Sequence, residues 1–94
     1  MPATHFKIQW PDGSQADCYS PSTVVKDYFA PGDHYLLAEF IERARQALNH
    51  ASERVRAKYG YACSAAMDQL AQIESHARRY ASDPNAEVHV IDLS

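Results

Sequence analysis

Between Leu37 and Tyr59 apolar residues return at three- and four-residue steps: Leu37, Ile41, Ala44, Leu48, Ala51, Val55 and Tyr59. That period is one stripe on an α-helix about six turns long. Leu36 and Phe40 widen it, while Glu39, Glu42, Arg43, Gln46, Asn49, Glu53 and Arg54 cover the other side. Asp33 is a suitable N-cap, and Gly60 stands where a left-handed C-terminal residue is needed. Glu39 and Arg43 form an i,i+4 pair in the favourable order, worth a few tenths of a kcal/mol. A stripe this long must be covered along its length, and the chain has 94 residues to do it. Surface scaling gives a chain of 10.6 kDa roughly 5,500 Å² of accessible surface when folded, against about 15,000 Å² when open. That supports one modest core, so residues 1–94 read as a single domain.

Part of the cover is a second helix. Ala66, Leu70, Ile73, Ala77 and Tyr80 make its stripe, with Met67 beside it and a start near Cys63–Ser64. The short connection makes the two long helices an antiparallel hairpin. The rest of the cover is a sheet. In Thr4–Trp10, Phe6, Ile8 and Trp10 alternate with His5, Lys7 and Gln9, the period of a half-buried strand. Trp10-Pro11-Asp12-Gly13 predicts a type I turn closed by a glycine bulge. Pairing Trp10 with Ser14 sets Phe6 opposite Cys18 and Ile8 opposite Ala16, which keeps the apolar residues on one face.

Ser20 and Pro21 suit the cap and first position of a short helix over 21–28, with Tyr19 and Val24 as a staple. Ala30-Pro31-Gly32 ends it. Asp83-Pro84-Asn85 is a turn, and the β-branched segment from Glu87 to Leu93 is a final strand. The order is β-β-α-α-α-β, an α+β domain. A three-stranded sheet in the order 2-1-3, its last strand parallel to the first, carries the helices on one face. His5, Lys7, Gln9, Asp17 and Tyr19 form the polar outer face. An unprotected strand edge offers a route to a homodimer.

Composition narrows the function classes. Hydrophobic residues make up 46% and charged residues 22%, the balance of a folded globular protein and not of a disordered one. The net charge is −3, which argues against nucleic acid as a partner. No apolar run reaches the ~20 residues of a membrane span. Met1–His5 has neither a basic nor an apolar leader region, so a cytoplasmic location is expected. Cys18 and Cys63 make no disulfide framework, and the absence of a Cys-x-x-Cys pair excludes a thioredoxin-type dithiol.

Cys63 is the one nucleophile candidate. A cysteine at a helix N-terminus has its thiolate favoured by the macrodipole, and Arg56 and Lys58 lie just before it. Without an orienting histidine it reads more readily as a small residue packed at a helix start. Arg54, Arg56 and Lys58, meeting Ser64 at the start of the third helix, are candidates for an anion site. His5, His34, His50, His76 and His89 show no metal-ligand spacing, so neither a metal nor another cofactor is expected. His5 and His89 become cross-strand neighbours if the first and last strands pair. Tyrosine is abundant for so small a core, and Trp10, Tyr19, Tyr59 and Tyr61 are candidates for a partner surface.

Four segments are less generic: Trp10-Pro11-Asp12-Gly13, Cys18-Tyr19-Ser20-Pro21-Ser22, Arg54-Val55-Arg56-Ala57-Lys58-Tyr59-Gly60, and Cys63-Ser64. In combination they resemble a small bacterial family named for a nitrogen starvation response in mycobacteria. The resemblance covers nearly the whole chain. It implies an accessory role beside enzymes of a nitrogen-related gene cluster and carries no catalytic residues with it. The expected function is therefore a non-enzymatic binding protein that contacts an enzyme of its pathway. The alternatives are a small thiol-dependent or anion-binding enzyme using Cys63, and a regulator that binds a nitrogen metabolite between sheet and helix hairpin.

Overall fold

The computed structural model describes residues 3–60, 64–83 and 85–93. The N-terminal alternation forms β1 (Thr4–Gln9), which pairs antiparallel with β2 (Gln15–Ser20). Trp10 N donates to Ser14 O at 2.7 Å, and Gly13 N donates to Trp10 O at 2.9 Å. Gly13 has φ 91°, the left-handed value that the bulge requires. The Asp12 carboxylate holds the turn by accepting from Ser14 N at 2.9 Å and Ser14 Oγ at 2.7 Å. Phe6 faces Cys18 and Ile8 faces Ala16, as the apolar pattern demands.

After β2 the structure departs from expectation. A 3₁₀ turn over Thr23–Asp27 replaces the helix, and its cap is Ser22, whose Oγ accepts from Val24 N at 3.3 Å. Ser20 stays in β2, and its hydroxyl donates to Ser22 O at 2.8 Å. A serine two residues before its partner bends the chain, so Ser20 makes the corner and Ser22 starts the turn. The Tyr19 ring lies 5.7 Å from that of His5.

The main correction concerns residues 34–36. They form a short strand, β3 (His34–Leu36), and helix α1 runs Leu37–Tyr59. Asp33 does not cap it. Its carboxylate accepts the Tyr35 hydroxyl at 2.8 Å instead. Leu36 occupies the cap position with no side-chain bond, and Leu37 N donates to Ala86 O at 2.9 Å. A sheet partner thus satisfies an amide that a capping side chain would otherwise take. At the other end Gly60 behaves as expected, with φ 83° and its N–H on Arg56 O at 2.8 Å.

The sheet therefore has four strands in the order β2-β1-β4-β3, where β4 is Glu87–Leu93. Every neighbouring pair is antiparallel. The extra strand β3 adds one chain reversal, which turns β4 antiparallel to β1 and corrects the parallel pairing. It also moves the last strand from an edge to the interior. His5 pairs with Tyr19, whereas His89 faces Gln9 on one side and His34 on the other.

Two α-helices, α1 and α2 (Ser64–Ala77), cover one face of the sheet. Tyr80, expected in the last turn of the second long helix, lies in a 3₁₀ turn over Arg78–Tyr80. Phe6, Ile8, Val88 and Val90 from the strands meet Phe40, Leu48, Leu70 and Ile73 from the helices, all buried. Leu36, the last residue of β3, and Tyr59, the last residue of α1, are 51% and 49% exposed. On the other face His5, Lys7 and Asp17 are open to solvent. The β2 edge is partly closed, since Tyr19 N donates to Gln69 Oε1 of α2 at 3.0 Å. The structure has 5296 Å² of accessible surface.

Candidate functional site

The antiparallel helix pair has two ends, and they differ. At one end α1 finishes with Arg54, Arg56 and Lys58, all exposed, and α2 begins at exposed Ser64. Lys58 Nζ lies 5.7 Å over the Tyr59 ring. Cys63 and Tyr61 fall outside the described residues. At the other end residues of the first turns of α1 and of the last turn of α2 line a cleft of about 570 Å³.

The cleft has apolar sides from Leu36, Leu37 and Ile41 and from Ala77 across from them. Its charges come in both signs. Arg45 Nη2 bridges to Glu74 Oε2 at 3.2 Å, joining α1 to α2, with Arg78 and Asp83 also on the lining. Both partners of the bridge keep substantial exposure, so the pair contributes about 1 kcal/mol at most. Its use is geometric: it ties the two walls together.

Tyr80 joins the cleft to the core. Its ring packs toward Trp10, with centroids 6.1 Å apart, and Trp10 stacks on His76 at 4.4 Å. Trp10 is 3% exposed, so the structure places this surface candidate inside the core. The Tyr80 hydroxyl and His76 Nε2 are buried without a hydrogen-bond partner. The Tyr80 hydroxyl still lies near enough to Asp12 to favour its anion. Two bonds from Ser14 do more, and together they hold the Asp12 carboxyl at about 2. Burial, with the Asp12 charge behind it, pushes the Tyr80 hydroxyl above the ordinary tyrosine value.

A separate polar network pins the loop after β2 to α1. Arg43 donates to Glu39 Oε1 at 3.2 Å and to Tyr28 O at 3.1 Å, and its guanidinium lies 4.8 Å from the centre of the Tyr35 ring. Tyr28 Oη and His50 Nδ1 are 3.2 Å apart. These contacts fix the strand that the cleft grows from. Burial, reinforced by Asp17, pushes the Cys18 thiol up to about 12, so it stays protonated and unreactive at neutral pH. Among the described residues no three His, Cys, Asp or Glu side chains are grouped to hold a metal ion.

The cleft residues Leu36, Arg45, Glu74, Arg78 and Tyr80 were not among the sequence-based candidates. One signal was available: Leu36 lies beside the helical stripe and adds more apolar surface than the helix can bury. Arg45 and Glu74 carry no such signal, since only the folded hairpin brings them together.

No curated protein and no solved structure matches the chain. The family model described as nitrogen starvation-induced protein NitG matches residues 5–93, from β1 through β4. The chain belongs to the NitG family of nitrogen starvation-induced proteins.

Proposed function

We propose that this protein is a non-enzymatic accessory protein of the nitrogen starvation response, and that it docks on a pathway enzyme through the cleft between α1 and α2. The observation that carries the reading is Leu36: a large apolar side chain on the cleft lining, 51% exposed. Around it stand Arg45, Glu74, Arg78 and Asp83. An apolar centre with a charged rim of both signs is the make-up of a protein–protein contact. A pocket for a small molecule covers most of its ligand's surface, and a half-exposed lining residue suits that role less well. Membership of the NitG family supplies the physiological setting.

The test is capture from nitrogen-starved cells with wild type and Leu36→Asp, followed by binding of the purified partner. Wild type retains one enzyme in a defined ratio, and Leu36→Asp loses it while remaining folded. The reading fails if both variants bind alike. It also fails if capture depends on Cys63 through a bond that reductant releases, which is the result expected of a thiol enzyme. A metabolite regulator would instead change Trp10 emission when small nitrogen compounds are added to the isolated protein.

A further inference from the structure

The outer face of the sheet carries a histidine pair. His34 on β3 lies directly across from His89 on β4, with ring centroids 4.1 Å apart and planes 13° from parallel. The register explains the closeness. Val90 N donates to Asp33 O at 2.8 Å and Leu37 N to Ala86 O at 2.9 Å. Antiparallel pairs alternate, so His34 and His89 occupy a position without backbone bonds between them, where side chains approach most closely. β3 is itself tied down by the pairing on both sides of His34, which fixes the base of the pair.

We infer that His34 and His89 form a chelating site for a divalent late transition-metal ion. Imidazole nitrogen suits Cu²⁺, Ni²⁺ and Zn²⁺. A metal–nitrogen distance of about 2.0–2.1 Å sets two ligand nitrogens on one ion about 2.9–3.4 Å apart. Rings whose centres are 4.1 Å apart reach that separation by side-chain rotation, with the backbone in place. His34 is exposed and His89 half-buried, so an ion has access. The pair opens on a cavity of about 340 Å³ that Asp83, Glu87 and Trp10 also line. The two carboxylates add negative potential for a cation. The protein supplies two ligands, and the remaining positions are open to water or to a donor atom of a bound molecule. Long sequence separation hides the pair from any spacing rule.

Trp10 is the only tryptophan and lines the same cavity, so Cu²⁺ bound at the pair quenches its emission. The experiment is a Cu²⁺ titration of the full chain, with Mg²⁺ as a hard-cation control and Zn²⁺ followed by histidine proton resonances. The expected result is saturable quenching at one ion per chain, none with Mg²⁺, and Zn²⁺ shifts confined to His34 and His89. His34→Asn and His89→Asn each weaken binding by about 100-fold, the loss expected when a two-point attachment becomes one-point. His5→Asn leaves binding unchanged. A Cu²⁺ dissociation constant left unchanged by either single substitution overturns the inference. So do Zn²⁺ shifts centred on His5, His50 or His76, a readout that needs no variant to fold.

Discussion

Phe40→Ala tests the packing that holds the helices to the sheet. Phe40 is fully buried, and its ring meets Trp10 edge-on at 6.0 Å and Phe29 at 5.3 Å. Removing a buried phenylalanine costs about 3–5 kcal/mol, and the two lost aromatic contacts place this site toward the upper end. A domain of 94 residues has about 5–14 kcal/mol of stability in total. The variant therefore loses a third or more of it, with a fall in Tm of at least about 12 °C. Urea unfolding followed by Trp10 emission and far-ultraviolet circular dichroism measures the loss. Leu36→Ala is the matched control, since a half-exposed leucine contributes about 1 kcal/mol or less. A loss below about 1.5 kcal/mol for Phe40→Ala, or equal losses for the two variants, would refute the assignment of Phe40 to a shared core.

Three further outcomes follow from the same contacts. Asp12 ionises at about 2 when folded against its ordinary 3.8, so its stabilising effect is complete above pH 4 and lost as pH falls through 2; Asp12→Asn flattens that acid limb in pH-dependent unfolding. The Cys18 thiol, held up to about 12, resists a thiol-specific reagent until the chain unfolds; because unfolded Cys18 ionises near 9.0, its contribution is intact below that pH and declines above it, a slope that Cys18→Ala removes. Gln69→Ala strips the partner from Tyr19 N–H, costs about 1 kcal/mol, speeds hydrogen exchange at that amide and increases self-association through the β2 edge, read by light scattering.

The parts of the fold that depend on near neighbours were legible. The Trp10–Gly13 turn sets the hairpin register by itself, because turn geometry and apolar alternation agree on the same pairing. Gly60 marks the end of α1 because only a left-handed residue fits there. What depends on distant residues was not legible. His34–Leu36 is too short to show a period of two, and Asp33 beside it is chemically a good cap. Its pairing with Glu87–His89 decides the matter, and that pairing also fixes the direction of β4. The serines at 20 and 22 differ only in which backbone group each can reach, which the sequence does not encode separately. The cleft joins residues 36–45 to 74–86, and the histidine pair joins 34 to 89, so neither exists until the helix hairpin and sheet have closed. The basic residues before Gly60 were visible as a charge cluster, yet they lie at the opposite end of the helix pair from the cleft.

Hydrogen exchange on the protein with and without its purified partner enzyme maps the docking surface most directly. Docking through the cleft slows exchange at 36–41 and 74–81 and leaves residues 54–58 unchanged. Protection confined to 54–58, with the cleft exchanging as in the free protein, would place the partner at the opposite end of the helix pair and rule out docking through the cleft.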